Sequence, residues 1–197
     1  VPIVLLPSQM FNAIDSVPVT AIAVVMLTGE LMTSATITDR LVSLSRALIG
    51  RMRGGLAQVN VLVSMFFAGM NGSVVADTAT VGALVLPAMK RAGYPPAFSA
   101  AVTAVSSTIG GIIPPSIMMI VLANATEISV AALFAAGIIP GLLIGAVIMV
   151  INHYFAVKYN FERSDENFSI RRAGKELYRS SFALLIPVVL VGSVMGG

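Results

Sequence analysis

Gly69-Met70-Asn71-Gly72-Ser73-Val74-Val75-Ala76-Asp77 interrupts a long apolar region, and its reading decides the fold. The apolar runs on either side, residues 56–68 and 81–89, are each shorter than the roughly 20 residues a helix needs to cross a bilayer. Two glycines, an asparagine, a serine and an aspartate in that setting mark a break. A second break, Ser-Ser-Thr-Ile-Gly-Gly-Ile-Ile-Pro-Pro-Ser at residues 106–116, is again flanked by apolar sequence. Backbone that leaves helical geometry at membrane depth is tolerated only where protein buries it or where it lines a cavity. Two such breaks in one short chain point to a site.

The 197 residues are 57% hydrophobic and only 11% charged, with a mean hydropathy of +0.93. Soluble domains carry about 25% charged residues, so this composition belongs to an integral membrane protein, with the lipid bilayer as its solvent. At about 20 residues per crossing there is room for five or six membrane elements. The net charge of +3 is small, and its placement matters more than its sum. Nothing here calls for a nucleic-acid partner. The lack of Trp leaves no strong interfacial aromatic belt in view. The lack of Cys excludes disulfides, thiolate metal sites and cysteine nucleophiles. No signal peptide is read. The chain opens on Val1 and closes on Gly196-Gly197 within an apolar run, so it is expected to be a piece of a longer membrane protein.

In chain order, residues 1–35 read as scaffold transmembrane sequence, with a short linker around Asn12, Asp15 and Ser16 before Pro18. Residues 36–53 differ in kind. Leu41, Leu44, Leu48 and Met52 recur at helical spacing while Arg40, Arg46, Arg51 and Arg53 take other faces. Such a basic amphipathic helix lies in the membrane interface, or else links two crossings as a solvated helix. Residues 54–127 hold both breaks: a hairpin at 54–92, closed by Lys90-Arg91 and a Gly93-Tyr94-Pro95-Pro96 turn, and a broken helix at 96–125. Residues 128–157 are a membrane helix containing Pro140-Gly141, 158–179 a basic polar loop or helix, and 180–197 the start of another crossing.

The positive-inside rule places the basic clusters at 40–53, 90–91 and 158–179 in the cytoplasm. The hairpin between the first two then crosses an even number of times. Each of its arms is about 24 Å long at 1.5 Å per residue, against a hydrocarbon core of about 30 Å. The pattern predicts a re-entrant hairpin entering from the cytoplasmic side, with its tip near the midplane.

Broken membrane helices expose carbonyls that bind small cations and amides that face anions. At the first break Gly69 and Gly72 are expected to free carbonyl oxygens, with Asn71 and Ser73 adding side-chain oxygens. At the second, Ser106, Ser107 and Thr108 add hydroxyls, Gly110-Gly111 opens the helix, and Pro114-Pro115 prevents rewinding. Hard oxygen ligands without thiolate or imidazole suit an alkali cation and no transition metal. Candidate ion ligands are therefore Gly69, Asn71, Gly72, Ser73, Ser106, Ser107, Thr108 and Gly110. Asp77 lies one turn after Ser73, and an acid at that depth is a functional candidate or, alternatively, a structural hydrogen-bonding group. Glu127 reads as an interfacial residue, His153 as a lone histidine near a helix end, and the methionines as packing residues.

The run at residues 54–77 resembles the large membrane subunit of the tripartite ATP-independent periplasmic (TRAP) transporters, the DctM-like permeases. So do Leu-Pro-Ala-Met-Lys-Arg-Ala-Gly-Tyr at 86–94, the second break at 106–116, and Ala-Leu-Phe-Ala-Ala-Gly-Ile-Ile-Pro-Gly-Leu-Leu at 132–143. The likeness runs from about Phe11 onward. It implies an all-α integral membrane fold, the first inverted repeat of an elevator-type transporter, with a re-entrant hairpin and a broken helix. It implies no enzyme and no cofactor, but Na+ as coupling ion. The implied partners are a small membrane subunit, a periplasmic substrate-binding protein and an organic anion such as a C4-dicarboxylate or sialic acid. The implied location is multi-pass in the bacterial or archaeal cytoplasmic membrane. Substrate contacts would fall on Asn71, Ser73, Asp77, Thr108 and Pro114, and residues 36–53 would be the arm helix joining transport domain to scaffold. Two departures stand out. Asn71-Gly72-Ser73 replaces the family's Ser-Gly-Ser at the hairpin tip, and Gly110-Gly111 replaces a common Gly-Pro. The second repeat is absent, so these residues alone are not expected to transport. Alternatives from other classes are a proton-coupled carrier, a structural membrane subunit whose breaks are packing devices, and an intramembrane protease using Ser73 with His153 or Asp77. The protease reading lacks a second intramembrane aspartate.

Overall fold

A computed structural model describes residues 17–34, 37–49, 52–161 and 170–196. The expected scaffold sequence and linker at 1–16 lie outside these residues, as does part of the basic segment, 162–169. The described residues are all-α. In order they form α1 (Val17–Ser34), α2 (Ile37–Ile49), α3 (Gly55–Asn71), α4 (Val74–Arg91), α5 (Pro96–Ser107), a 3-10 turn (Thr108–Gly111), α6 (Ile117–Thr126), α7 (Val130–Lys158) and α8 (Ile170–Gly196).

Local sequence explains most boundaries. Gly54 enters α3 and Gly72 leaves it, both in the left-handed region with φ of 71° and 58°. Ser73 then caps α4 by accepting from the Ala76 amide, and Ser116 caps α6 by accepting from Met119. Proline at the first position opens α5, where its missing amide loses nothing. Ser129 caps α7 through the Ala132 amide.

α3 is the centre of the bundle. It packs against α1, α2, α4, α5, α7 and the 3-10 turn, and 13 of its 17 residues are buried. A helix apolar on every face is stable only when enclosed in this way. Phe67, Val61, Val63 and Met70 supply its bulk. α4 folds back along α3 and along α5, so the two arms and the first half of the broken helix form one packed unit.

α7 is, among the described residues, the one helix long and apolar enough to cross a membrane, with 29 residues and a mean hydropathy of 2.5 over its best window. Its length is about 43 Å at 1.5 Å per residue, beyond the thickness of the hydrocarbon core. Gly137, Gly141 and Gly145 recur every fourth residue on its buried face. They let it approach closely: a Cβ on Gly137 would lie 2.5 Å from the Ile112 carbonyl oxygen, and one on Gly145 2.6 Å from Met65 Sδ. Small residues at four-residue spacing are the usual means of close helix packing in membranes. Ile139, Leu143 and Val150 on the other face are exposed.

Two expected segments take a different form. α2 ends at Ile49, and of its predicted apolar stripe Leu41 and Leu44 are buried while Leu48 and Met52 are exposed. The buried pair packs because α3 and α8 both press on that face. α8 runs through residue 180 without a break, so the polar stretch from Ile170 and the apolar stretch after it are one helix. The Arg40 guanidinium donates to the Arg179 carbonyl at 3.2 Å, and the Ser180 hydroxyl donates to the Arg40 carbonyl at 3.3 Å, which ties α2 to α8.

Candidate functional site

The two breaks, far apart in sequence, meet. The amide of Ile117 donates to the Gly72 carbonyl at 3.1 Å. A Cβ on Gly72 would run into the Pro115 carbonyl oxygen, and one on Gly110 would sit 3.6 Å from the Ser73 carbonyl. Gly69 lies beside both Pro114 and Pro187, its Cβ position 3.7 Å from the Pro114 oxygen and 3.3 Å from Pro187 Cβ. The hairpin tip is therefore held against the interrupted part of the broken helix, backbone to backbone. The Pro114–Pro115 peptide is cis.

Within this contact the candidate ligands divide. Gly72 has the left-handed conformation the break requires, but its carbonyl already accepts one hydrogen bond. Gly69 does not leave helical geometry as expected. It stays inside α3, because the chain turns only once, at Gly72. Asn71 is buried, its Oδ1 accepting from the Ser73 amide at 3.3 Å while its Nδ2 finds no partner. The Ser73 hydroxyl is occupied in capping α4. Thr108 is exposed and donates back to the Val105 carbonyl at 2.7 Å. Ser116, outside the predicted ligand set, donates to the Gly111 carbonyl at 2.8 Å and so pins the loop between the 3-10 turn and α6.

A second polar layer lies deeper, between α3, α4 and α5. Asn60 Nδ2 donates to Thr103 Oγ1 at 2.7 Å, Ser106 Oγ donates to Asn60 Oδ1 at 3.3 Å, and the Ser64 and Ser106 hydroxyls are 3.0 Å apart. All four side chains are buried. Asp77 is fully buried on the α4 side of the same layer, facing the hydroxyls of Ser107 and Ser64. The Ser107 and Ser64 hydroxyls are the donors to its carboxylate, in contacts looser than an ideal hydrogen bond. Buried polar atoms are satisfied in the great majority of cases. A buried acid held by two loosely placed hydroxyls is the exception that singles out this layer.

The structure thus brings Gly69, Asn71, Gly72, Ser73, Gly110 and Pro114 into one contact, and Asp77 with Ser107 into another. Ser106 belongs to the deeper network, and Thr108 is exposed beside the break. Asn60, Ser64 and Thr103 were missed by sequence reasoning. Their signal was present: Asn60 and Ser64 are four residues apart within an apolar helix and so share a face. Among the described residues no cluster of His, Cys, Asp and Glu is suited to a metal ion.

Comparisons with known proteins agree with this architecture. The family model described as "Tripartite ATP-independent periplasmic transporter, DctM component" matches residues 1–197. The sialic acid TRAP transporter large permease protein SiaM of Vibrio cholerae is 35% identical over 189 residues, covering 96% of this chain and 44% of that protein. The C4-dicarboxylate TRAP transporter large permease protein DctM of Pseudomonas aeruginosa is 36% identical over 189 residues, with the same coverage of 96% and 44%. The sialic acid TRAP transporter permease protein SiaT of Haemophilus influenzae is 37% identical over 190 residues, covering 96% of this chain and 30% of that protein. The chain thus spans less than half the length of these relatives.

Proposed function

The chain belongs to the DctM-component family of tripartite ATP-independent periplasmic transporters, a family of membrane transport proteins rather than enzymes, and from that premise we propose what its site does. It supplies half of the transport site of a multi-pass inner-membrane permease that imports an organic acid by coupling to sodium. A periplasmic binding protein delivers the substrate, and a small membrane subunit completes the membrane part. α3 and α4 form a re-entrant hairpin whose tip, at Asn71-Gly72-Ser73, sits near the midplane and moves with the broken helix in an elevator-type cycle. The organic anion is of the C4-dicarboxylate or sialic-acid kind, as the names of the relatives suggest.

The single observation that carries this reading is the joining of the two breaks. The Ile117–Gly72 hydrogen bond and the close approach of Gly72 to Pro115 concentrate two interrupted backbones at one place. Irregular backbone at membrane depth is tolerated where protein buries it or where it lines a cavity, and paired interrupted helices are where secondary transporters build their ion and substrate sites. The cation ligands proposed are oxygens from Gly69, Asn71, Gly72, Ser73, Ser106, Ser107, Thr108 and Gly110. The substrate contacts proposed are Asn71, Ser73, Asp77, Thr108 and Pro114. Asp77 supports a second reading, proton coupling, because it is a buried acid that only the loosely placed hydroxyls of Ser107 and Ser64 face.

The test uses the complete permease with single cysteines, Ser73→Cys and Thr108→Cys, in oriented membranes. A small water-soluble maleimide is expected to label both, and sodium but not potassium is expected to slow the reaction. Labelling indifferent to the cation would replace sodium by proton coupling, and Asp77→Asn would then abolish the pH dependence of uptake. No labelling at either position in a folded protein would overturn the site.

A further inference from the structure

The end of the bundle opposite the breaks carries a feature that transport chemistry does not use. Tyr94 and Phe161 have ring centroids 4.7 Å apart, Phe98 and Phe161 5.1 Å, Phe98 and Phe155 6.2 Å, and Phe155 and Tyr159 6.0 Å. Five aromatic rings are gathered here, where the α4–α5 turn meets the end of α7. Tyr rings, apolar in body and polar at the hydroxyl, prefer the boundary between hydrocarbon and headgroups, and here Phe98, Phe155 and Phe161 pack against them.

Cations surround that cluster. Lys90 and Arg91 end α4 just before the turn that carries Tyr94, and both are exposed. Lys158 Nζ lies 5.8 Å from the Tyr159 ring centroid. Arg53 precedes Gly54, whose Cβ position is 2.5 Å from Ala156 Cβ on the last turns of α7. The segments meeting here, residues 52–57, 86–99 and 152–161, contain no Asp or Glu.

From this end an apolar groove of about 290 Å³ runs between α5 and α7. Phe98, Ala101 and Val105 line one side, and Ile148, Ile151 and Phe155 the other. Phe98 and Phe155 belong to both the ring cluster and the groove, so the two are continuous. The eight residues from Phe98 to Val105, seven rises of about 1.5 Å each, make it about 10 Å long. Its open side is apolar: Val105 is 51% and Ile151 48% exposed.

An apolar trough that begins among aromatic rings and ends beside exposed cations, none of them ion-paired among the described residues, has the shape and charge of one kind of molecule. We infer that the α5–α7 groove holds an acyl chain of an anionic phospholipid whose headgroup phosphate rests among Lys90, Arg91 and Lys158. Anionic headgroups attract basic residues near the membrane surface, and the long Lys and Arg stems reach the surface while their methylenes cover apolar area. The inference rests on the membrane placement proposed above, which the maleimide experiment tests separately.

The complete permease, in phosphatidylcholine vesicles, is illuminated with either phosphatidylglycerol or phosphatidylcholine bearing the same photoreactive acyl chain, and labelled peptides are mapped. Phosphatidylglycerol is expected to label residues 98–105 and 148–155 at least fivefold more than phosphatidylcholine. The triple variant Lys90→Gln, Arg91→Gln, Lys158→Gln is expected to reduce that ratio to near one. Ala101→Phe, which fills the trough, is expected to remove labelling by both probes, and Val105→Trp serves the same purpose if Ala101→Phe does not fold. Equal labelling by the two lipids, or a ratio unchanged in the triple variant, would overturn the headgroup assignment. No labelling of either segment in the unmodified permease would mean the rest of the protein fills the groove, and would sink the proposal.

Discussion

The amide of Ile117 and the carbonyl of Gly72 are joined by a 3.1 Å hydrogen bond that ties the start of α6 to the tip of the α3–α4 hairpin. The bond forms because Gly72 can take a φ of 58° while bringing its Cα against Pro115 and Ser116. A side chain here would be strained at the left-handed φ and could not make that approach without displacing the broken helix.

Gly72→Ala should therefore be far worse than Gly93→Ala. Gly93 also has positive φ, at 77°, but a Cβ there would meet nothing within 4 Å. The left-handed backbone alone costs about 1–2 kcal/mol. Gly93→Ala should show that amount, while Gly72→Ala adds a backbone clash of at least about 2 kcal/mol more. Thermal unfolding of the two variants of the complete permease in detergent would check the difference, and equal losses would contradict the contact.

The Asn60–Thr103 hydrogen bond, at 2.7 Å between two fully enclosed side chains, should be energetically coupled. Asn60→Ala removes one hydrogen bond each from Thr103 and Ser106, whose hydroxyls keep the Ser99 and Thr103 carbonyls as partners, and should destabilise the protein by about 0.5–1.5 kcal/mol. A double-mutant cycle with Thr103→Val should give a coupling of about 0.5–1.5 kcal/mol. A cycle closing to zero would mean that the two side chains act independently.

Two glycines of α7 should respond differently to the same added methyl. Gly137→Ala would drive a Cβ toward the Ile112 carbonyl oxygen, which is backbone of the second break and cannot turn away. Gly145→Ala would meet only the Met65 thioether, which has other rotamers. The first should cost about 1–3 kcal/mol and disturb labelling at Thr108→Cys. The second should stay below about 1 kcal/mol and leave labelling unchanged. The comparison needs only unfolding midpoints and the maleimide rate in the Thr108→Cys background.

The breaks themselves were legible because their causes are local. Gly72 followed by Ser73 stops one helix and caps the next, and Pro114-Pro115-Ser116 does the same at the second site. Apolar runs gave the helices on either side. Gly69 was misjudged, since a glycine in sequence signals the capacity for unusual backbone and not its use. The deep layer was half legible: Asp77 drew notice as an acid in apolar surroundings, but Asn60 and Ser64 did not, because a single polar residue on a helix has no visible partner until another helix is set against it. The division of α8 at residue 180 followed composition, whereas its helix follows continuous hydrogen bonding across a polar and an apolar half.

By itself the sequence determined that this is a helical membrane chain with two interruptions, because hydropathy and the conformational limits of Gly, Pro and Ser act within a few residues. It determined the family as well, since long motifs span both breaks. Only the tertiary structure decided that the hairpin tip meets the broken helix at Gly72 and Pro115, that Asp77 faces Ser107 across the α4–α5 contact, and that the aromatic rings collect beside an open groove. Those relationships join residues tens of positions apart, and they follow from how closely packed helices cross, which no local propensity records.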